Sequence, residues 1–403
     1  MVSDRMSAQL RLTERRVIAA LGGRDRASRI ELARLTGLPR TTVTAAVASL
    51  VRRGLLVEHE DPGGGPRPVG RPASVVRLAD PTGPVAVIVF GHSAASVGVC
   101  DYTGTVLARR PIEGARTEDL GAVLAAAKAT IDGLAGARPS IGVVGIPLPF
   151  QRGRGALPVR RLTPSMLATF PNLQPLPEWL LTDPSRAFAE ALGIPVIAEN
   201  DANLAALGET ISGAGRGHRG VVCVTVKDGI GAGLVLDGRL HRGATGLAGE
   251  IAHVSVRDDG PLCLCGNRGC LATVYRNGPQ LIDEIQTAYG LSITFEDLQS
   301  LAAHGDTGVR RILTDLGRTI GRPLADLAVL LNPDAIVIDG ALGAAARYVV
   351  DGVREAVDRH TSPMISEALA VRPGTLGDNA QLLGAVALAR ERHHEELLGD
   401  DHD

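Results

Sequence analysis

One histidine and three cysteines, His253, Cys263, Cys265 and Cys270, fall within eighteen positions of a chain that has only five cysteines. Three thiolates and one imidazole make a ligand set for tetrahedral Zn²⁺, and the spacing His-x9-Cys-x-Cys-x4-Cys predicts a structural zinc knuckle. Cys263 and Cys265 are one residue apart, so their sulfurs reach one ion only from a tight turn, which Gly266 and Gly269 relax by accepting positive φ. The plainer alternative is three incidental thiols beside a surface histidine. Glu250 lies three residues before His253, on one side of a helical turn, and a ligating imidazole keeps one ring nitrogen for another partner. The metal would thereby brace a wall that binds a ligand.

The elements that position these residues belong to a long chain. At 403 residues two or three domains are expected. A hydrophobic share of 45% and a formal charge of −2 exclude disorder, while 2% aromatics and 49 glycines imply small-residue packing and many turns. No apolar run approaches the length of a membrane span, and Met1-Val2-Ser3-Asp4-Arg5 lacks the layout of a signal peptide. The expected location is the cytoplasm, where thiols stay reduced and clustered cysteines favour metal over disulfides. Residues 1–79 carry fourteen arginines, no lysine and seven acidic residues, a net of +7, which leaves −9 for the remainder. So basic an end calls for a polyanion.

Within residues 1–79, Thr13 offers a cap for a helix that Gly22-Gly23 stops. Ser28 caps a second helix ended by Gly37, and Pro39 opens a third from Arg40. Val43, Val47 and Leu50 share one face of that third helix. Arg40, Thr41, Thr42, Thr44 and Ala45 then point outward, short polar and methyl groups suited to the floor of a major groove. A strand over 54–58, a Pro/Gly-rich loop over 62–72 and a strand over 74–78 predict a wing, whose Arg67 and Arg71 sit on thin backbone suited to a narrow minor groove. The same composition suits a plain interdomain linker, and the helices also suit a protein-binding module. The arginine excess favours double-stranded DNA.

Two stretches of the remaining chain, 85–107 and 221–239, share an order of strand, glycine turn, strand, turn and strand. A helix near 119–134, a buried strand over 141–146, and Asn200-Asp201 after the strand 196–199 alternate between them, which predicts α/β layers and two related halves. An Asn-Asp pair behind a strand also serves helix capping.

Asn200-Asp201, Gly229-Ile230-Gly231-Ala232-Gly233, Gly249-Glu250-Ile251-Ala252-His253 and the knuckle, in this order behind a winged helix, resemble the ROK family of repressors and sugar kinases, and more narrowly its transcriptional regulators. The resemblance implies an α+β winged helix-turn-helix over residues 1–79. It further implies two actin-like, hexokinase-type (ribonuclease H-like) α/β lobes with a zinc knuckle over 80–403, a carbohydrate effector between the lobes, and self-association as a homodimer or homotetramer. Asn200, Asp201, Glu250 and His253 match the family's sugar contacts, and Asp201 matches the kinases' catalytic base. Kinases of the family carry a metal-side Asp where this chain has Val89, a hydroxyl where it has Asp228, and a glycine near adenosine where it has Asp339. Those departures predict a regulator without phosphoryl transfer, with Asp201 a vestigial base; the alternative is an ATP-dependent sugar kinase bearing a DNA-binding domain. Ala272 stands where family members commonly have a sugar-contacting Glu, which implies an altered sugar, or a regulator that answers to a protein partner instead.

Overall fold

The computed structural model describes residues 2–21, 26–60, 74–91, 94–113, 119–134, 136, 138–151, 155–156, 177–226, 229–275, 278–340 and 343–398. The chain divides into two compact units, Met1–Thr82 with Ala389–Asp403, and Gly83–Leu388.

The first unit contains α1 (Val2–Leu21), β1 (Ala27–Ser28), α2 (Arg29–Thr36), α3 (Arg40–Arg52), β2 (Leu56–Glu60) and β3 (Ser74–Leu78). Ser28 Oγ accepts from the Glu31 amide while the Glu31 carboxylate accepts from the Ser28 amide, a reciprocal cap that starts α2. Val43, Ala46, Val47 and Leu50 of α3 pack with Val17, Ile18 and Leu21 of α1, Leu32 of α2, and Leu56, Val76 and Leu78 of the sheet. β2 and β3 pair antiparallel from Leu56↔Leu78 to Glu60↔Ser74, the two strands expected of a wing. Arg29 bonds Glu58 and, at 2.8 Å, Ser74 Oγ; Arg53 bonds Glu14 at 2.8 Å. One expectation is corrected. Thr13 does not cap the first helix but lies inside α1, only 5% exposed, because no Gly or Pro between Val2 and Leu12 stops the helix from propagating upstream.

The second unit runs through β4 (Val85–Phe90), β5 (Ala94–Cys100), β6 (Val106–Glu113), α4 (Leu120–Asp132), β7 (Ile141–Ile146), β8 (Phe150–Gln151), β9 (Gly155–Ala156), α5 (Glu178–Leu181), α6 (Pro184–Leu192), β10 (Val196–Asn200) and α7 (Asp201–Ser212). It continues with β11 (Val221–Val226), β12 (Ile230–Leu236), β13 (Arg239–Leu240), α8 (Leu271–Val274), α9 (Gly278–Tyr289), α10 (Phe295–Ala303), α11 (Thr307–Leu331), β14 (Ala335–Asp339), α12 (Ala346–His360), α13 (Pro363–Ser366) and β15 (Ala370–Pro373). The helix α14 (Ala380–Leu398) begins in this unit and ends in the other.

Two five-stranded sheets result, ordered β10-β7-β4-β5-β6 and β13-β12-β11-β14-β15. In each, three successive strands pair antiparallel and two later strands add in parallel beside the first of them. The repeat visible in the sequence is therefore a repeat of topology. β4 and β11 are buried at every position, the mark of strands covered on both faces. The first lobe's core gathers Ile88, Phe90, Val97, Val144, Ile146 and Phe188; the second lobe's gathers Val222, Val224, Ile336, Leu313, Ile320 and Val353. α7 leaves β10 of the first sheet and packs on β11 and β12 of the second, so the two lobes meet at the residues where β10 becomes α7.

Candidate functional site

A cavity of about 520 Å³ lies at that junction, lined from both lobes. Val89, Ser96, Asn200 and Asp201 face it from the first lobe; Ile230, Glu250, His253 and Ala272 face it from the second. The four residues expected to hold a sugar are thus brought to one cleft. Asn200 also caps α7: its Oδ1 accepts from the amides of Ala202 at 3.0 Å and Asn203 at 3.1 Å, and its Nδ2 donates to the Leu148 carbonyl at 3.1 Å. Asp201 begins the helix and accepts from the Ala202 amide at 2.9 Å. Burial, and secondly the Asp201 carboxylate, push Glu250 up to about 7. Two acidic groups converging in a cavity are suited to pairs of sugar hydroxyls, which donate to carboxylates.

Glu250 precedes a single 3-10 turn, Ile251–His253, in which the His253 amide donates to the Glu250 carbonyl at 3.1 Å. Behind this turn the metal ligand set is assembled. The ligand atoms of His253, Cys263, Cys265 and Cys270 lie within 4.8 Å of one another. His253 Nδ1 is 3.6 Å from Cys263 Sγ, and Cys265 Sγ is 3.5 Å from Cys270 Sγ. Zn–S and Zn–N bonds in a tetrahedron separate neighbouring ligand atoms by about 3.5–3.8 Å, so the donor set fits this metal. Burial and the neighbouring thiols push Cys270 up to about 12, so three thiolates in this space require a compensating cation. Burial lowers the pKa of His253, which favours the neutral imidazole that a ligand must be. Gly266 and Gly269 adopt φ of 95° and 60°, as the tight knuckle demands, and a Cβ on Gly269 would lie 1.7 Å from the Arg257 carbonyl oxygen.

Val89 lines the cleft at 7% exposure, its methyl groups beside Leu204 above Gly145, an apolar surface in place of a carboxylate. Asp339 is buried within its sheet, with Thr225 Oγ1 donating to its Oδ2 at 3.5 Å. Lys227 and Asp228 lie outside the described residues. Charged residues that sequence reading does not mark stand in and behind the cleft wall, Asp378 among its lining residues. Arg109 lines its wall from β6, and Arg242 bonds Glu199, the residue before Asn200.

In the first unit, α3 turns Arg40, Thr41, Thr44 and Ala45 to solvent, with Thr42 half-buried. Thr41, Thr44 and Ala45 lie on the side of the helix away from the buried Val43, Val47 and Leu50, and Arg40 is exposed at its first turn. Arg67 and Arg71 lie outside the described residues.

Fold and site together define a winged-helix unit joined to a two-lobed actin-like α/β body. A model of the ROK family matches residues 86–392, and a model of the MarR family matches residues 8–65. The chain belongs to the ROK family, with a MarR-type winged helix at its N-terminal end. It is 30% identical to the xylose repressor of Bacillus spizizenii over 217 residues, 54% of this chain and 56% of that protein. The chain thus spans about half the length of the xylose repressors it matches. The glucokinase of Streptomyces coelicolor is 31% identical over 327 residues, covering 75% of this chain and 96% of the glucokinase. The crystal structure of a ROK family transcriptional regulator, a homolog of the E. coli MLC protein, superimposes with a TM-score of 0.73 at 23% identity over 96% of this chain and 98% of that one, a likeness of fold. Among the described residues, no helix is long and apolar enough to cross a membrane.

Proposed function

We propose that the protein is a cytoplasmic transcriptional repressor whose N-terminal domain, residues 1–79, binds operator DNA. Its body, residues 80–403, answers to a sugar or sugar derivative without transferring phosphate. The observation that carries this reading is the joining, in one chain, of an exposed polar recognition helix to a cleft that keeps Asp201, Glu250 and His253 but presents Val89 where a kinase needs a carboxylate. Phosphoryl transfer depends on charge neutralisation and positioning, and an apolar side chain supplies neither. Asn200, Asp201, Glu250 and His253 hold the effector, and Asp201 is a base without a reaction. Arg40, Thr41, Thr42 and Thr44 read the major groove, while Arg67 and Arg71 enter the minor groove. Zn²⁺ held by His253, Cys263, Cys265 and Cys270 orients the wall bearing Glu250; its role is structural. A homodimer or homotetramer presents paired winged helices to a pseudo-palindromic operator, and the ligand shifts their spacing by favouring one lobe geometry.

The test is footprinting on the genomic DNA of the source organism, then titration of the bound site with a carbohydrate panel. Release or tightening by one sugar is expected; a site that no sugar affects removes the effector reading. A second reading, an ATP-dependent sugar kinase with an attached DNA-binding domain, draws on the match to 96% of the Streptomyces coelicolor glucokinase and on Asp201. Sugar-dependent ADP release at ordinary kinase rates would establish it.

A further inference from the structure

Glu199 is 2% exposed and directly precedes the Asn200-Asp201 pair. Its Oε1 accepts from the Asn200 amide at 3.0 Å and from Asn203 Nδ2 at 2.9 Å, and its Oε2 accepts from Arg242 Nε at 2.7 Å. Arg242 belongs to the opposite lobe. It follows β13 and begins the loop that ends at Glu250, and its carbonyl accepts the Ala248 amide at 3.1 Å, which folds the loop back on itself. The guanidinium is largely enclosed, with a side-chain exposure of 22%, and its Nη2 is buried with no hydrogen-bond partner among the described residues.

We infer that Arg242 is a positioning residue: its ion pair with Glu199 clasps the end of β10 to the 242–250 loop and so fixes the separation at which Asp201 and Glu250 present their carboxylates to one ligand. The inference rests on the sugar-cleft reading. Two features distinguish the pair from an ordinary stabilising contact. It joins the two short segments that carry the ligand groups, one from each lobe, with Glu199 two residues from Asp201. It also supplies a cation to a carboxylate that is only 2% exposed, so the pair is held in a setting where losing one partner leaves the other charge buried. Arg242 does not line the cavity, so its effect on a ligand is exerted through Glu199.

The variants are Arg242→Met, Arg242→Lys and Glu199→Gln in the full-length, zinc-loaded protein. Binding of a panel of hexoses, pentoses and amino sugars is followed by the fluorescence of Trp179, the only tryptophan, whose ring lies 5.5 Å from that of the cleft residue Phe90. Hydrogen exchange over residues 198–203 and 242–250 is measured on the same samples, with zinc content as a control. Arg242→Met is expected to weaken the wild-type ligand by about tenfold or more, Arg242→Lys to recover most of that loss, and exchange to rise in both segments together. Sugar affinity within about twofold of wild type, with only the melting temperature lowered, overturns the inference. If the wild type binds no sugar of the panel, the sugar-cleft reading fails and exchange decides the clasp: a joint rise upholds it, and a rise confined to 242–250, or none, overturns it. Should Arg242→Met not fold, the milder Lys and Gln variants carry the same readouts.

Discussion

His253 Nδ1 lies 3.6 Å from Cys263 Sγ, on the same 3-10 turn that Glu250 precedes on the cleft wall. The candidate metal site and the cleft wall are therefore mechanically one object. Stripping zinc with a chelator, or the substitution Cys265→Ser, is expected to lower stability by on the order of several kcal/mol and to abolish sugar binding. Metal analysis should give one zinc per chain before treatment. Sugar affinity that survives complete zinc removal would separate the knuckle from the cleft.

Glu250 is held up at about 7 by burial and by Asp201, so its charged form is disfavoured in the folded protein. A raised carboxylate contributes stability that is fully present below its unfolded pKa of about 4.3 and is lost as pH rises through 7. Glu250→Gln should therefore be more stable than wild type at pH 8, by on the order of 3 kcal/mol, and nearly equal to it at pH 4. Thermal melts at both pH values decide this, and a gap of the same size at each would contradict it.

Asn200 and Asp201 are neighbours with separable work. Asn200→Ala removes the cap of α7 and should cost about 1 kcal/mol of stability as well as weakening the ligand. Asp201→Asn leaves the cap intact, so sugar affinity should fall by about tenfold or more with the melting temperature nearly unchanged. Calorimetry on both variants tests the split.

For the DNA-binding unit, Arg40→Ala should weaken operator binding and reduce its salt slope by about one, the signature of one lost phosphate contact. Thr44→Ala should instead alter preference at one base position, at about 1–3 kcal/mol for a mismatched site. Binding isotherms at several salt concentrations tell these apart, and equal slopes for Arg40→Ala and wild type would remove that contact.

His394 is held down at about 4 by burial and by the charges of His393 and Arg390. The unfolded imidazole binds its proton near pH 6.5 and the folded one only near 4, so stability contributed by the neutral ring is lost as pH falls through that window. His394→Gln should blunt the acid sensitivity of the unit that contains residues 389–398, as measured by hydrogen exchange between pH 7 and 4.5.

How much of this was legible in the sequence follows from how local each signal is. The four candidate metal ligands fall within eighteen residues, so spacing alone singles out the cluster that the fold brings together. The Ser28–Glu31 cap and the apolar face of α3 are read within one or two helical turns. Glu199–Arg242 joins residues 43 positions apart in different lobes, and no periodicity marks such a partner. Arg109 reaches the cleft only because β6 lies at the edge of the first sheet, a fact of topology. Thr13 does not mark the start of α1, because a capping residue type marks a helix end only where the preceding residues refuse the helix.

The first lobe's sheet is complete once Asn200 has been made, yet its β5 and the turn after it are met by Leu382 and Leu383, which approach Gly98 and Gly104 closely. During synthesis, that surface stays bare while the whole second lobe emerges from the ribosome. The early lobe therefore ripens last, and a chain truncated before residue 380 would release a sheet lacking its final covering, a ready target for chaperones and proteases.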